Sequence, residues 1–488
     1  MLLRYNSIII NWEGKMEFSD NLLLPLRQQQ STIPGRSPIE EFYSDKSRII
    51  YSSSFRRLQQ KAQVFSLEPN SNVRTRLTHS LEVADIGRTL ANRIGNELYE
   101  KGIIKDSAYI SQIVAIVENA CLLHDIGNPP FGHFGEAAIK DWANKNLKKY
   151  ACDAGIGAAA VDCVLCDFLE FDGNPQGFRI VTRLHCERDR YGLNLTYPTL
   201  LCGIKYPRKT GDKPEYATQK KAGYFLSEND TVRCIIDSMG LEADKKYPLA
   251  YIMEAADDIS YCLSDISDGI EKGILSIEGF LDSLNEEWSK EYSEEFPLEL
   301  PTPHTNYFNM ISVKWSRAMV DETVKYYVDH FEEYLCGEKK DILSNCNCGK
   351  AFETIKVVSR KKLYRSIEAE RIELSGYSVI TGLLDRFGEL LKLRRNQFEW
   401  LTDEKQSPQD KGIDLQWRIY NRLSPRMIKS YKMQIDEYKS SSFASRYGLS
   451  PNDIEWWLRA HMIIDHISGM TDGYALELYK ILMGAIRI

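Results

Sequence analysis

The sequence predicts a mostly α-helical protein with a small β hairpin and an additional helical C-terminal part. Three observations carry this. Long segments repeat apolar residues at three- and four-residue steps, strand signals are sparse, and there is no internal repeat or low-complexity tract. The chain has 488 residues, 27% charged and 43% hydrophobic, which is ordinary for a folded globular protein.

The first helical segment spans about residues 78–98, where Val83, Ile86, Leu90, Ile94 and Leu98 form an apolar stripe. The second, about 107–124, is apolar on nearly all sides through Ile113 to Val117 and Ala120 to Leu123, so it reads as buried. Ser107 is its expected cap, and Gly127-Asn128-Pro129-Pro130 stops it. The third, about 248–272, carries Ile252, Ala256, Ile259, Leu263, Ile266 and Ile270 on one face. Turn signals between the second and third suggest a hairpin near residues 190–225. The acidic, Pro-containing stretch at 285–303 looks like a boundary. The resulting division is an N-terminal arm (1–44), a helical core (45–280), a linker (281–303) and a helical C-terminal region (304–488).

A net charge of −7 offers no general attraction to polyanions, so any phosphate binding requires a local cluster. No stretch approaches the roughly 20 apolar residues that span a bilayer. The apolar run Ser7-Ile8-Ile9-Ile10 is too short for a signal sequence, so a cytoplasmic protein is expected. The eleven cysteines are scattered. Cys163-x-x-Cys166 and Cys346-x-Cys348 lack a second pair at zinc spacing and read as reduced thiols.

The strongest chemical signal is His124-Asp125 at the end of a wholly apolar helix. Burying two ionisable groups costs several kcal/mol unless they are paired or bound to a metal. A divalent ion needs four to six ligands. His79, at the start of its helix, and Asp257, in Glu254-Ala255-Ala256-Asp257-Asp258-Ile259, are candidates for the others. Taken singly, each has an ordinary reading: a capped histidine, a solvated pair of acids, a favourable histidine at a helix end. Together, the order His…His-Asp…Asp on three core helices is hard to explain by packing.

That order resembles the HD superfamily of metal-dependent phosphohydrolases. The flanking residues are more specific. They include Ser54-Phe55-Arg56-Arg57-Leu58, Lys61-Ala62-Gln63-Val64-Phe65, Arg74-Thr75-Arg76-Leu77-Thr78-His79 and Asn128-Pro129-Pro130-Phe131-Gly132-His133-Phe134-Gly135-Glu136. With Met253 to Tyr261 and Gly469-Met470-Thr471-Asp472, they are similar to the bacterial deoxyguanosine triphosphate triphosphohydrolases over about residues 45–479.

The resemblance implies an HD-domain core. It also implies hydrolysis of dGTP or other dNTPs to deoxynucleoside and inorganic triphosphate, by water attack on the α-phosphorus. His79, His124, Asp125 and Asp257 would hold the metal, Mn²⁺ or Mg²⁺; two imidazoles and two carboxylates also suit Fe, Co, Ni or Zn. Asp258 is the fallback ligand. His133 would act as base and Glu136 as its orienting carboxylate, although an acid at that place also suits a helix cap. Arg76, Lys205, Tyr206 and Lys221 are implied phosphate contacts. Gln63 and Asp265 are implied to read the 3′-hydroxyl, and Tyr261 is expected to pack on the deoxyribose and exclude a 2′-hydroxyl. Asn194 is a further candidate. Arg422, Arg426 and Lys429 form a basic patch that reads as a contact for single-stranded DNA, as a contact to a neighbouring subunit's pocket, or as a solvated face. A homo-oligomer, tetramer or hexamer, and activation by single-stranded DNA or a second dNTP, are implied as well. The alternatives are an HD phosphohydrolase of a different nucleotide and a non-catalytic nucleotide- or DNA-binding regulator on the same scaffold.

Overall fold

The computed structural model describes residues 20–299, 308–402 and 411–485. Residues 1–19 of the predicted arm lie outside them. The described part of that stretch is tied down: buried Arg27 donates to Glu41 and Asp45 at 2.9 and 2.6 Å, and Asp45 lies in helix α1 (Pro38–Ile50).

The centre of the molecule is built from α2 (Arg76–Glu100), α3 (Ala108–Leu123), α4 (Gly132–Asp153) and α5 (Pro248–Glu271). Helix α2 packs along both α3 and α5. Its start is a capping box: Thr75 and Thr78 bond reciprocally, side chain to backbone. Val83, Leu90, Ile94 and Leu98 are buried, as the periodicity predicts. Gly87 allows the close approach to α3, because a Cβ there would collide with Cys121. Helix α3 is buried on most sides, but Ser107 does not cap it through its side chain. Asp106 does so, accepting from Ala108 N at 2.9 Å, because Ser107 itself already has helical backbone angles.

The chain leaves α3 through the turn of residues 124–131. Gly127 lies against the backbone of Gly173 and Gly177, where a Cβ would collide with main-chain atoms that cannot yield. Gly127→Ala is therefore expected to cost about 1–3 kcal/mol or more, the scale of core overpacking. Thermal unfolding of the variant measures it.

The predicted hairpin near 190–225 does not form. Residues 197–202 are helical and the only pairing in the region is an isolated bridge between Lys209 and Tyr224. The backbone groups there are satisfied by buried side chains instead of a ladder. Arg208 donates to the carbonyls of Gln219 and Asp212, and Asp167 accepts from Leu226 N.

Helix α6 (Ile277–Glu291) runs into the stretch whose acidic composition reads as a linker. Phe280, Leu284 and Trp288, four residues apart, bury one face, and the acids occupy the other. The long helices of the C-terminal region are α7 (Phe308–Asp329), α8 (Gly349–Lys362), α9 (Ile367–Gly388), α10 (Pro425–Ser440), α11 (Pro451–Ser468) and α12 (Asp472–Leu482). Helix α8 packs on α5 and α9 packs on α4, so the C-terminal region walls the centre. Asp465 of α11 binds buried Arg179, which also reaches Glu228 at 2.8 Å. No described helix is long and apolar enough to cross a membrane.

Candidate metal centre and nucleotide cavity

His79 lies one turn into α2, His124 and Asp125 follow the last turn of α3, and Asp257 lies mid-way along α5. The packing of α2 against α3 and α5 brings the four together. His79 Nε2 is 3.4 Å from Asp257 Oδ1. His124 Nε2 is 3.6 Å from both Asp125 Oδ2 and Asp257 Oδ1. The two imidazole rings meet edge to face with centroids 5.3 Å apart. Among the described residues, His79, His124 and Asp125 form a group able to hold a metal ion, and no cysteine joins it; the cysteines are free thiols.

The donor set fits a divalent cation. His124 Nδ1 is 2.7 Å from the Cys121 carbonyl, which can only accept, so Nδ1 is the donor there and Nε2 is the nitrogen turned toward the site. That Nε2 is buried without a hydrogen-bond partner and faces both carboxylates. Two donors each about 2.1 Å from one ion lie about 3.0–3.4 Å apart, close to the spacings seen.

Neighbouring charges keep both acids ionised. Burial pushes Asp125 up, but Arg76 at 2.6 Å, His124 and His79 outweigh it and hold it at about 2. Asp257 is likewise held well below the carboxylate range, with burial overcome by His124, Lys205 and His79. Asp258 differs: burial, reinforced by Glu254 and Asp257 against Lys205, lifts it to about 7. The histidines' close contacts go to Asp257.

Helix α4 begins at Gly132, and Phe131 before it holds a left-handed backbone, φ 62° and ψ 21°. That conformation costs a non-glycine residue about 1–2 kcal/mol. The kink leads directly to His133, whose Nδ1 is 3.0 Å from Glu136 Oε2. Glu136 is buried and its other oxygen accepts from Gly173 N at 2.8 Å, so it holds the imidazole and does not cap the helix. The bond to Glu136 raises His133 above 6.5, against the opposing charges of Arg76 and Lys221.

These groups line one cavity of about 650 Å³, together with Gln63, Lys205, Tyr206, Lys221, Tyr261 and Asp265. Lys205 is 3.4 Å from Asp257 and 3.6 Å from Glu254. Burial lowers its pKa, but Glu254, Asp257 and Asp258 together hold the ammonium well above its ordinary range. Glu254 also binds buried Lys246. Burial pushes the Tyr206 phenol up to about 12. Lys221 pairs with Asp172 at 2.6 Å. Asp265 accepts from Tyr364, and burial lifts it to about 6. Gln63 Oε1 and Asp265 Oδ1 are buried without partners.

Asn194 is not among the lining residues. Both ends of its amide are used by Gln29, whose N–H donates to Oδ1 at 3.1 Å and whose carbonyl accepts from Nδ2 at 2.8 Å. Arg426 and Lys429, three residues apart in α10, also lie elsewhere, both against Glu187. Conversely, Lys356, Arg360 and Tyr364 face the cavity from α8 and just beyond it, and the sequence reading passed them over. Their four-residue spacing is the signal that marks them: one polar face on an otherwise packed helix.

A helical scaffold that converges two histidines and two aspartates in this order has the arrangement of an HD-type site, and residues 76–154 match the family model described as HD domain. That match includes His79, His124 and Asp125. Curated relatives extend the similarity along the chain. Deoxyguanosinetriphosphate triphosphohydrolase of Klebsiella pneumoniae subsp. pneumoniae is 33% identical over 92% of this chain and 94% of its own. The protein of the same name from Serratia proteamaculans is 32% identical over 98% and 99%, and that of Yersinia pestis 33% over 91% and 94%. The chain belongs to the deoxyguanosine triphosphate triphosphohydrolase family.

Proposed function

We propose that this protein is a metal-dependent dNTP triphosphohydrolase, acting on dGTP or other dNTPs. The observation that carries the reading is the meeting of His124, Asp125 and Asp257, backed by buried His79, with the His133–Glu136 pair in one cavity lined by cations.

His79, His124, Asp125 and Asp257 would hold a divalent ion, Mn²⁺ or Mg²⁺. When bound, such an ion supplies Lewis acidity to the α-phosphate and lowers the pKa of water. His133 does the proton work. With Nδ1 turned to Glu136, its Nε2 is the free nitrogen, and it takes the proton of the water that attacks the α-phosphorus. The P–O5′ bond breaks, and the 5′-oxygen leaves as the deoxynucleoside, taking up the proton that His133 removed from the water. The triphosphate carries about four negative charges; Lys205, Lys221, Lys356 and Arg360 face them from two sides of the cavity. Gln63 and Asp265, each with an unpartnered buried oxygen, face the 3′-hydroxyl, whose single O–H is accepted by one of the two. Tyr261 packs on the sugar and leaves a 2′-hydroxyl without a partner, which disfavours ribonucleotides. We read the working form as a cytoplasmic homo-oligomer, tetramer or hexamer.

Incubation with each dNTP and Mn²⁺, alone and with a second dNTP or single-stranded DNA added, tests the reading. Deoxynucleoside and intact triphosphate are expected in equal amounts. Release of pyrophosphate or orthophosphate instead would identify a different nucleotide hydrolase. DNA binding with no hydrolysis would identify a regulator.

A further inference from the structure

The segment Gly469-Met470-Thr471-Asp472 has no part in the chemistry above, yet its carboxylate is inserted between two catalytic loops. Asp472 is buried. Its Oδ1 accepts from Phe131 N and its Oδ2 from Ala62 N, each at 3.1 Å. Ala62 precedes Gln63, and Phe131 is the left-handed residue two before His133. Beside it, the buried Lys61 ammonium donates to the carbonyls of Asn128 and Ser468 at 2.5 and 3.0 Å. Asn128 in turn donates to Asp125. From the other side, the Phe131 ring lies on the backbone of Gly376 in α9, where a Cβ would collide with it.

We infer that Asp472 is a positioning residue that fixes His133 relative to the metal ligands by clamping the Phe131 amide against the Ala62 amide. The inference rests on the reading of His133 as the base. A strained backbone persists only where its surroundings over-determine it. Here one carboxylate oxygen holds the Phe131 amide and the flat Gly376 backbone holds its ring. The clamp belongs to the C-terminal helices, more than 300 residues along the chain from the loops it holds. The metal ligands do not touch Asp472, so its loss should disturb the base and spare the ion.

The test uses the full-length protein with Mn²⁺ and the dNTP it turns over fastest. Asp472→Asn places an amide NH₂ against one of two N–H donors and should let Phe131 relax. We expect kcat to fall about 30-fold, within the range of about 100-fold for a 1 Å misplacement. KM and Mn²⁺ affinity by calorimetry should stay at wild-type values. The acid limb of the pH profile should move down toward 6.5 as His133 separates from Glu136. Gly376→Ala, which displaces the Phe131 ring, should give the same pattern, and it decides the matter if Asp472→Asn does not fold. Wild-type kcat in the folded variant overturns the inference. So does a loss confined to KM, to Mn²⁺ affinity or to melting temperature, which would mark a plain structural role. If the wild-type protein itself releases no triphosphate, the functional reading fails and the clamp falls with it. If the wild type is active and both variants match it, only the clamp is overturned.

Discussion

Asp125→Ala is expected to abolish turnover, with a loss of about 1000-fold or more, equivalent to roughly 4 kcal/mol of transition-state stabilisation. Two effects combine. One of the four proposed metal ligands disappears, and Arg76, which bonds Asp125 at 2.6 Å, is left as an unneutralised cation beside the site. Removing one member of a buried ion pair is the costly direction, because the other charge stays buried. Chelation of the wild-type protein should mimic the ligand loss alone, and added Mn²⁺ should restore activity to the chelated wild type but not to the variant. Calorimetric Mn²⁺ titration and circular dichroism separate failure to bind from failure to fold. A folded Asp125→Ala protein with wild-type rate would remove the metal centre from the mechanism.

The second large effect is expected at His133. His133→Ala should lower kcat by about 100- to 10,000-fold, the range for loss of a positioned general base, while Mn²⁺ still binds. The pH dependence gives the finer test. The base works as neutral imidazole, so activity falls as pH drops through its pKa. Since Glu136 raises that value above 6.5, the acid limb of kcat/KM should lie above pH 6.5. Glu136→Gln removes the carboxylate that favours the imidazolium, so the limb should shift to lower pH, with a reduced plateau because the ring is less firmly held. A limb that does not move would assign it to another group.

Most of the centre was legible because its signals are local. The boundaries of α2 and α5 follow from a 3.6-residue period, and those of α3 from an all-round apolar run stopped at Gly127-Asn128-Pro129-Pro130; all agree with the structure within two residues. His124 and Asp125 stand out because nothing in the packing of an apolar helix calls for them. What was hidden depends on distant partners. Asn194 looks like any turn asparagine, and its amide is consumed by Gln29, 165 residues away. The hairpin was inferred from turn residues, while the groups that satisfy that backbone, Arg208 and Asp167, carry no visible mark of doing so. The wall formed by Lys356, Arg360 and Tyr364 reads as an ordinary amphipathic helix until α8 is laid against α5. Composition also misled: the acids of α6 drew attention from the period of Phe280, Leu284 and Trp288.

The pairing of Arg179 with Asp465 bears on how the chain is made. The two residues are 286 positions apart. At about 5–20 residues per second on the ribosome, Arg179 waits roughly 15–60 s for its carboxylate to be synthesised. During that interval Asp257 is added to His79, His124 and Asp125, yet the surface destined for α11 is open to water and to other nascent chains. Slower translation across the second half lengthens that exposure, so yield in a heterologous host should track synthesis rate and chaperone supply more closely than the stability of the finished molecule.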